Sequence, residues 1–437
     1  MTAPIRALLV AEAANPEWVS VPLVGWSLAD ALRRTDGIEA HIVTQVRNRE
    51  AFLRAGLVEG EDFTAIDSEA VAKALYKIGQ VLRMGEGKGW TTLQALSALG
   101  YPYFERLVWD RFGEEIKAGR WDVVHRITPL SPTNVGPLAA RVAGAKVPFA
   151  LGPLNGGVPW PKAFDAERRK EKEWLSYIRG VYKLMPGRGR MLRSCSAIMT
   201  GSRHTATEIP RDLRCRTFYI PENGIDPDRF AAPGPRAPHD GPMRGVFIGR
   251  MVPYKGPDML IEAAAPLLRD GRMTLEMIGD GPMQPELKAL AERLGVAQAV
   301  TFHGWIDHRD VQRIARGCDA LTFPSVREFG GGVVLEAMAL GLAPVIVDYA
   351  GPGELVHDGI GLKSPIGTRE EVIAGFARAL EQAAADPDAL AAMGNAAAAE
   401  IAAKFHWARK AEQVRDVYAW MLGRGERPSP FGDPFER

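Results

Sequence analysis

Short apolar runs alternate along the chain with longer amphipathic segments, a pattern typical of α/β proteins. In the second half, this pattern predicts strands at 244–249, 273–278, 299–303, 319–323 and 343–347. Helices are predicted between them, at 256–269, 283–294, 308–316 and 333–340. In the first half, a helix is predicted at 22–34, and strands at 5–11, 38–44, 122–127, 147–151 and 197–201. Helices between successive strands imply parallel sheets, so the sequence predicts two doubly wound α/β domains.

A proline-rich segment marks the expected boundary between these domains. It contains Pro227, Pro233, Pro235, Pro238 and Pro242, and proline interrupts both helices and central strands. The predicted organisation is a first domain at 1–225, a linker at 226–243 and a second domain at 244–404. The remaining segment, 405–437, contains a helix that is expected to end near residue 422. Taken alone, this helix is a simple C-terminal cap.

The composition is that of an ordinary globular chain, with 437 residues, 46% hydrophobic, 24% charged and a net charge of +1. No apolar run of 18 residues and no basic-then-apolar leader is found, so the expected location is the cytoplasm. The cysteines Cys195, Cys215 and Cys318 are far apart and are expected to be reduced thiols. No metal site and no cofactor are expected. Because no nucleic-acid-binding motif accompanies the basic residues, a nucleic-acid partner is not expected either.

Two glutamates flank a glycine loop directly after the predicted strand at 319–323. Glu328 precedes the loop, and Glu336 lies eight positions later, in the first turns of the next predicted helix. The glycines allow a ligand to approach the backbone, and the unpaired N–H groups at a helix start favour an anion. Two carboxylates beside an anion site fit a nucleotide sugar, whose hydroxyls they would bind. The spacing alone is weak, since glycine turns between strand and helix are common.

Further motifs follow one another in order through roughly 220–360. They are Asn223-Gly-Ile-Asp226, Gly249-Arg250 with Lys255-Gly256, Gly279-Asp-Gly-Pro282, Phe302-His-Gly304 and the Glu328-x7-Glu336 pair. This ordered set resembles the retaining glycosyltransferases of the GT-B fold, group 1 or glycosyltransferase family 4. The resemblance implies two Rossmann-like domains facing a cleft, with the last helix crossing back to pack on the first domain. It also implies a UDP- or GDP-sugar donor and a metal-independent reaction.

The resemblance assigns roles to the charged residues of the second half. Arg250 and Lys255 would bind the donor diphosphate, whose negative charge grows as it leaves. Glu336 would hold the ribose hydroxyls, and Glu328 would bind the transferred sugar near its reacting carbon. Front-face departure and attack would retain the configuration, with no protein nucleophile. As an alternative, either cation is an ordinary surface residue.

Five more residues of the second half are candidates for donor binding. Gly330, Gly331 and Gly332 would add backbone donors to the sugar or phosphate, although Glu-Phe-Gly-Gly stands where the family commonly has Glu-Gly-Phe-Gly. Trp305 and Ile306 would lie beside the base, or Trp305 is a packing aromatic.

The first half fits the family less well. Many relatives carry His-x-His after a strand, whereas here His125 is followed by Ile127 at the second place. His125 is therefore either a catalytic substitute or a core histidine. Asn155, in a glycine-rich loop at another strand end, is a candidate sugar contact or part of a plain turn.

A basic segment with aromatic residues spans 168–193. It contains nine Lys and Arg residues and only two acidic residues, Glu171 and Glu173. Such a segment suits an anionic membrane surface, or it is a solvated helix with one face in the core. The first option points to a peripheral enzyme with a glycan or glycolipid acceptor in envelope or polysaccharide synthesis. A small soluble acceptor, a nucleotide-sugar epimerase and a non-catalytic nucleotide-sugar-binding protein remain the alternatives.

Overall fold

The computed structural model describes residues 3–70, 90–165, 168, 185–230 and 234–436, with only the backbone for 90–99. The chain forms two compact units. The first contains Met1–Gly157, Glu173–Glu222 and Trp407–Arg437, and the second contains Val158–Lys172 and Asn223–His406. Most of the basic segment predicted at 168–193 lies outside the described residues.

The first unit is built on a parallel sheet of seven strands in the order β3-β2-β1-β4-β5-β6-β7. The strands are β1 Ile5–Ala11, β2 Ile38–Gln45, β3 Phe63–Ile66, β4 Val123–Thr128, β5 Phe149–Leu154, β6 Ala197–Thr200 and β7 Thr217–Tyr219. Both faces of β1 are covered, because Leu8 and Val10 join one apolar cluster while Leu9 and Ala11 join another. The sequence prediction did not include β3 and β7, which are the two edge strands.

Helices cover both faces of this sheet. Those with described bounds are α1 Val21–Arg33, α2 Arg49–Arg54, α3 Trp90–Lys117, α4 Leu138–Gly144, α5 Arg188–Ser194, α6 Arg203–Thr207 and, from the chain end, Trp407–Met421. This last helix buries Ala411, Val414, Val417 and Tyr418 at helical spacing in the same cluster as Leu9. The C-terminal helix is therefore part of the core of the first unit.

The second unit has a parallel sheet of six strands in the order β10-β9-β8-β11-β12-β13. The strands are β8 Met243–Ile248, β9 Met273–Ile278, β10 Val300–Gly304, β11 Ala320–Phe323, β12 Ala343–Asp348 and β13 Leu362–Pro365. The first five match the predicted strands to within about one residue at each end. Strand β8 pairs with both β9 and β11, so the strand order reverses there. Ligands of doubly wound sheets bind at such a reversal, outside the carboxyl ends of the strands.

The helices of the second unit are α7 Pro257–Arg269, α8 Gln284–Arg293, α9 His308–Arg316, α10 Gly332–Ala339, α11 Ala350–Leu355, α12 Arg369–Ala385 and α13 Pro387–Glu400. The C-terminal helix Trp407–Met421 is α14 in this numbering. Local sequence explains several of the helix starts. Asp307 accepts hydrogen bonds from the N–H groups of Arg309 and Asp310 at the start of α9, and Thr368 and Glu371 form a capping box on α12. None of the described helices is long and apolar enough to cross a membrane.

The units also differ from the predicted domains after Gly157. The predicted first domain ran without interruption over 1–225, whereas the described residues between Val158 and Lys172 belong to the second unit. The linker also packs there, since the Arg236 guanidinium donates to the carbonyl oxygens of Arg316 at 3.2 Å and Leu340 at 3.1 Å. These carbonyls lie at the ends of α9 and α10, where a cation is favourable.

Candidate functional site

The loops at the carboxyl ends of β8 and β9 are joined by backbone hydrogen bonds. Gly249 donates to the oxygen of Ile278, and Met251 donates to the oxygen of Asp280, both at 2.9 Å. Gly279 has φ +126°, and a Cβ atom there would stand 2.0 Å from the Gly249 oxygen. The glycine is therefore required for close packing of the two loops, and it fixes the start of the segment that carries Arg250 and Lys255.

Lys255 and Glu328 form an ion pair at these strand ends. The Lys255 Nζ donates to the Glu328 Oε2 at 2.7 Å, with side chains only 14% and 21% exposed. Lys255 ends a short turn after β8, and Glu328 follows β11. The ammonium also lies 5.0 Å from the centre of the Phe323 ring. Two predicted site residues, far apart in sequence, thus meet at the reversal of the strand order.

The glycine loop after Glu328 is held in place by its backbone. The backbone N–H of Gly351 donates to the backbone oxygen of Glu328 at 3.1 Å. The Asn223 side chain donates to the backbone oxygen of Gly330 at 2.9 Å. Gly331 has φ +59° and forms the N-cap of α10. The first N–H groups of this helix, on Gly332 and the next residue, have no intrahelical acceptor and can donate to an anion.

Glu336 lies in the second turn of α10. Its carboxyl is partly buried, and this burial raises the pKa of Glu336 to about 7, an effect that the nearby Arg229 charge reduces. The carboxyl makes no hydrogen bond with any part of the chain that the structure describes. The pKa of His308 is lowered, mainly by burial and in second place by the Arg229 charge. A half-buried carboxyl without a polar partner is suited to accept hydrogen bonds from ligand hydroxyls.

The other predicted donor contacts lie on the surface around these loops. Arg250 is exposed, and its side chain forms no ion pair with a described residue. Trp305 is 79% exposed, so the alternative of a packing aromatic does not fit it. Ile306 is half-buried beside it. The oxygen of Gly304 accepts from Gly279 at 2.9 Å, which ties the end of β10 to the loop after β9.

His125 lies in the core of the first unit. It is fully buried, its Nε2 donates to the Gly152 oxygen at 2.6 Å and its Nδ1 accepts from the Tyr418 hydroxyl at 2.5 Å. The tautomer follows from the carbonyl, which can only accept. Burial lowers the pKa of His125 to about 4. With both ring nitrogens bonded inside the core, the geometry favours the core histidine over the catalytic substitute.

Asn155 belongs to a polar cluster at the carboxyl ends of β5 and β6. Its amide donates to the Glu222 carboxylate, and its oxygen accepts from Ser202 at 3.5 Å. Lys410, on α14, is buried beside this cluster and donates to the Pro221 oxygen. Burial lowers the pKa of Lys410 to about 7, although the Glu222 charge acts to raise this pKa. These contacts bond both polar atoms of the Asn155 side chain within the protein. Its contact with a sugar stays a prediction.

Cavity size does not identify the candidate site. One cavity of about 280 Å³ lies beside Arg236, His239 and Asp319, at the amino ends of β8 and β11. Another, of about 480 Å³, lies in the first unit beside α4 and α5. We identify the site instead from its charged groups at the reversal of the strand order. Within the described residues, no group of three His, Cys, Asp or Glu side chains is placed to hold a metal ion.

Part of this chain is similar in sequence to known glycosyltransferases. Residues 235–400 match the family model described as Glycosyl transferases group 1. The chain resembles a D-inositol 3-phosphate glycosyltransferase of Streptomyces griseus, with 35% identity over 192 residues, 42% of this chain and 40% of the relative. It also resembles a glycogen synthase of Mycobacterium tuberculosis, with 34% identity over 213 residues, 48% of this chain and 50% of the relative. The alignments thus span half or less of these relatives' lengths.

The whole chain can be compared at the level of structure. The crystal structure of Anabaena HepE in complex with UDP matches 95% of this chain and all of its own, with a TM-score of 0.56 and 16% identity. At this identity, the match shows the fold alone. The protein therefore has the predicted GT-B fold of two Rossmann-like domains. The segment that matches the group 1 model lies in the linker and the second unit, and it contains all the predicted donor-site residues between Arg250 and Glu336.

Proposed function

We propose that this protein is a glycosyltransferase that moves a sugar from a nucleoside-diphosphate donor to a hydroxyl acceptor. The observation that carries the proposal is the Lys255–Glu328 pair, at 2.7 Å, where the strand order reverses. It lies in the segment that matches the group 1 family, together with Glu336 and the start of α10. A cation, free N–H groups and two carboxylates are the groups that a nucleotide sugar requires.

The reaction breaks the bond between the anomeric carbon and the diphosphate oxygen, so negative charge grows on the leaving group. The Lys255 ammonium and the first N–H groups of α10 would stabilise this charge. Glu336 would accept hydrogen bonds from the ribose hydroxyls. Glu328 would bind hydroxyls of the transferred sugar once Lys255 turns to the phosphate. Arg250 is exposed and is available for the same diphosphate.

We further propose that the enzyme is of the Glu-x7-Glu type, glycosyltransferase family 4, and retains the anomeric configuration. The spacing of Glu328 and Glu336 supports this, as does the order of the surrounding motifs. The acceptor hydroxyl would attack from the face that the diphosphate leaves, and a phosphate oxygen would take its proton. The reaction would proceed without a metal, so EDTA should leave its rate unchanged.

The proposed acceptor is a glycan or glycolipid of the envelope or of an exopolysaccharide. The support is the basic segment at 168–193, which suits an anionic membrane surface on the cytoplasmic side. Sedimentation with anionic and neutral liposomes tests the membrane part. Binding to anionic liposomes that disappears at high salt is expected, and no binding at low salt would favour a small soluble acceptor.

The donor is tested first, by thermal shift with UDP, GDP, ADP and TDP and their sugar conjugates, with and without EDTA. A ligand that binds only the folded state raises its stability by mass action. We expect a shift with one nucleotide family, as the UDP complex of the structural relative HepE suggests. Product analysis follows, with and without acceptors. A changed donor sugar without transfer would indicate an epimerase, and affinity without turnover would indicate a binding protein.

A further inference from the structure

A short piece of the first half of the sequence packs on the loops of the candidate site. The chain leaves the first unit after Gly157, and the described residues between Val158 and Lys172 belong to the second unit. The Tyr349 hydroxyl, directly after β12, donates to the Pro159 oxygen at 2.8 Å. This hydrogen bond holds the beginning of the segment at the carboxyl end of the second sheet.

Trp160 is a buried aromatic residue of this segment. Only 7% of it is exposed. The Arg327 guanidinium lies 5.0 Å from the centre of the Trp160 ring and 5.1 Å from that of Phe329. The Tyr254 ring meets Trp160 edge-on, at 6.1 Å and 87°. These are cation–π and edge-to-face geometries, both of which are directional as well as attractive.

Two residues that Trp160 contacts, Tyr254 and Arg327, are chain neighbours of the charged pair. Tyr254 directly precedes Lys255, and Arg327 directly precedes Glu328. The loops are also joined by their backbones, since Val326 donates to the Tyr254 oxygen at 2.9 Å. Movement of the Trp160 ring would therefore shift the residues on both sides of the ion pair.

We propose that Trp160 is a positioning residue for the Lys255–Glu328 pair. Its ring holds the loops after β8 and β11 in register, so that the lysine and the glutamate face the same ligand. Trp160 acts through Tyr254 and Arg327 and does not itself touch the reacting atoms. The inference rests on the proposed glycosyl transfer for its kinetic consequence, but its structural consequence can be measured separately.

The structural test is hydrogen exchange of wild type and Trp160→Leu, followed on peptides that cover 324–332. We expect these amides to exchange at least tenfold faster in the variant, because the ring no longer holds Arg327. Peptides from α1, in the other unit, should not change. Unchanged exchange at 324–332 would overturn the proposal whether or not the protein transfers sugar.

The kinetic test compares the same two proteins and Trp160→Phe at saturating donor, with rates normalised to folded protein. We expect kcat to fall about tenfold in Trp160→Leu, equivalent to about 1.4 kcal/mol, with partial recovery in Trp160→Phe. Trp109→Leu is the matched control, since Trp109 lies 5.8 Å from the Arg141 guanidinium in the first unit. A loss of thermal stability with unchanged kcat would mean that Trp160 is only a packing residue.

A double substitution tests whether Trp160 acts through Arg327 or only stabilises the fold. Trp160→Leu and Arg327→Met should not add, because each removes the same guanidinium–ring contact. Additive effects on kcat would contradict the proposal. If wild type transfers no sugar from any donor, the proposed function fails, and the exchange experiment still decides the role of Trp160.

Discussion

Replacing Glu336 by glutamine should change how stability depends on pH. Burial raises the pKa of this carboxyl from 4.5 to about 7 in the folded protein. Between these values the folded state holds a proton that the unfolded state has lost, so stability falls as pH rises through this window. The shift of about 2.5 pH units, at about 1.4 kcal/mol each, sets an upper bound of about 3.5 kcal/mol on the loss by pH 8, and solvent screening of the half-buried carboxyl lowers it. Glutamine cannot ionise, so the variant should lack this loss.

The assay is urea unfolding at pH 5 and pH 8, followed by a probe specific to the second unit, because a two-unit protein need not unfold in one step. Glu336→Gln should be more stable than wild type at pH 8 and closer to it at pH 5. The same substitution should weaken nucleotide binding, because an amide replaces the proposed acceptor of the ribose hydroxyls. Wild-type nucleotide affinity should rise with pH through about 7, as the carboxylate forms.

The control is Glu292→Gln, an exposed position on α8 in the same unit. It removes the same charge from the surface and should alter neither the pH dependence of stability nor nucleotide affinity. An equal loss of stability between pH 5 and pH 8 in wild type and Glu336→Gln would refute the assignment. So would a gain in nucleotide affinity in the variant, because the carboxylate would then oppose the ligand.

Three further substitutions test the rest of the site. Lys255→Met should raise the Kd for the nucleoside diphosphate roughly 10- to 100-fold by calorimetry, the scale of a lost charge-assisted hydrogen bond. Glu328→Gln should lower kcat by about 10²-fold, the scale of one lost transition-state interaction. The nucleotide affinity of this variant should not fall, because Lys255 is released from its ion pair and can bind the diphosphate. A fall in affinity would contradict the idea that Glu328 and the diphosphate compete for Lys255. His125→Phe should destabilise the first unit by about 2 kcal/mol, because it removes hydrogen bonds to Tyr418 and Gly152. Normalised to folded protein its kcat should not change, and a large loss would restore a catalytic role.

The sequence predicted the regular parts of the second unit well for a physical reason. Its inner strands are rich in apolar residues, and the turns between strands and helices carry glycine or proline, which mark their ends. The helix pair α12 and α13 was not assigned. The edge strand β13, at Leu362–Pro365, is short and has a mixed burial pattern, so its apolar signal is weak. The strand order itself depends on packing and cannot be read from the hydrophobic pattern.

The candidate site was predictable where its residues share one local motif. Glu328, Glu336 and the glycines lie on one strand-to-helix connection, and Lys255 on another, so the predicted strands and turns place them at strand ends. Trp160 lies in the other half of the sequence, and its contact with Arg327 exists only in the folded chain. His125 shows that local sequence also cannot exclude a residue from the site. A histidine at a strand end has the same local sequence whether it lies in the core or in a site.

The Lys255–Glu328 pair connects the stability of the site to its proposed chemistry. Each side chain is mostly withdrawn from water, so each charge needs a partner when no donor is bound. A donor diphosphate would take over the lysine, and its sugar hydroxyls would take over the glutamate, so both partners are exchanged in one binding event. The exchange requires the two loops to stay in register while the ion pair separates. The contact between Trp160 and Arg327, next to the pair, is suited to meet that requirement.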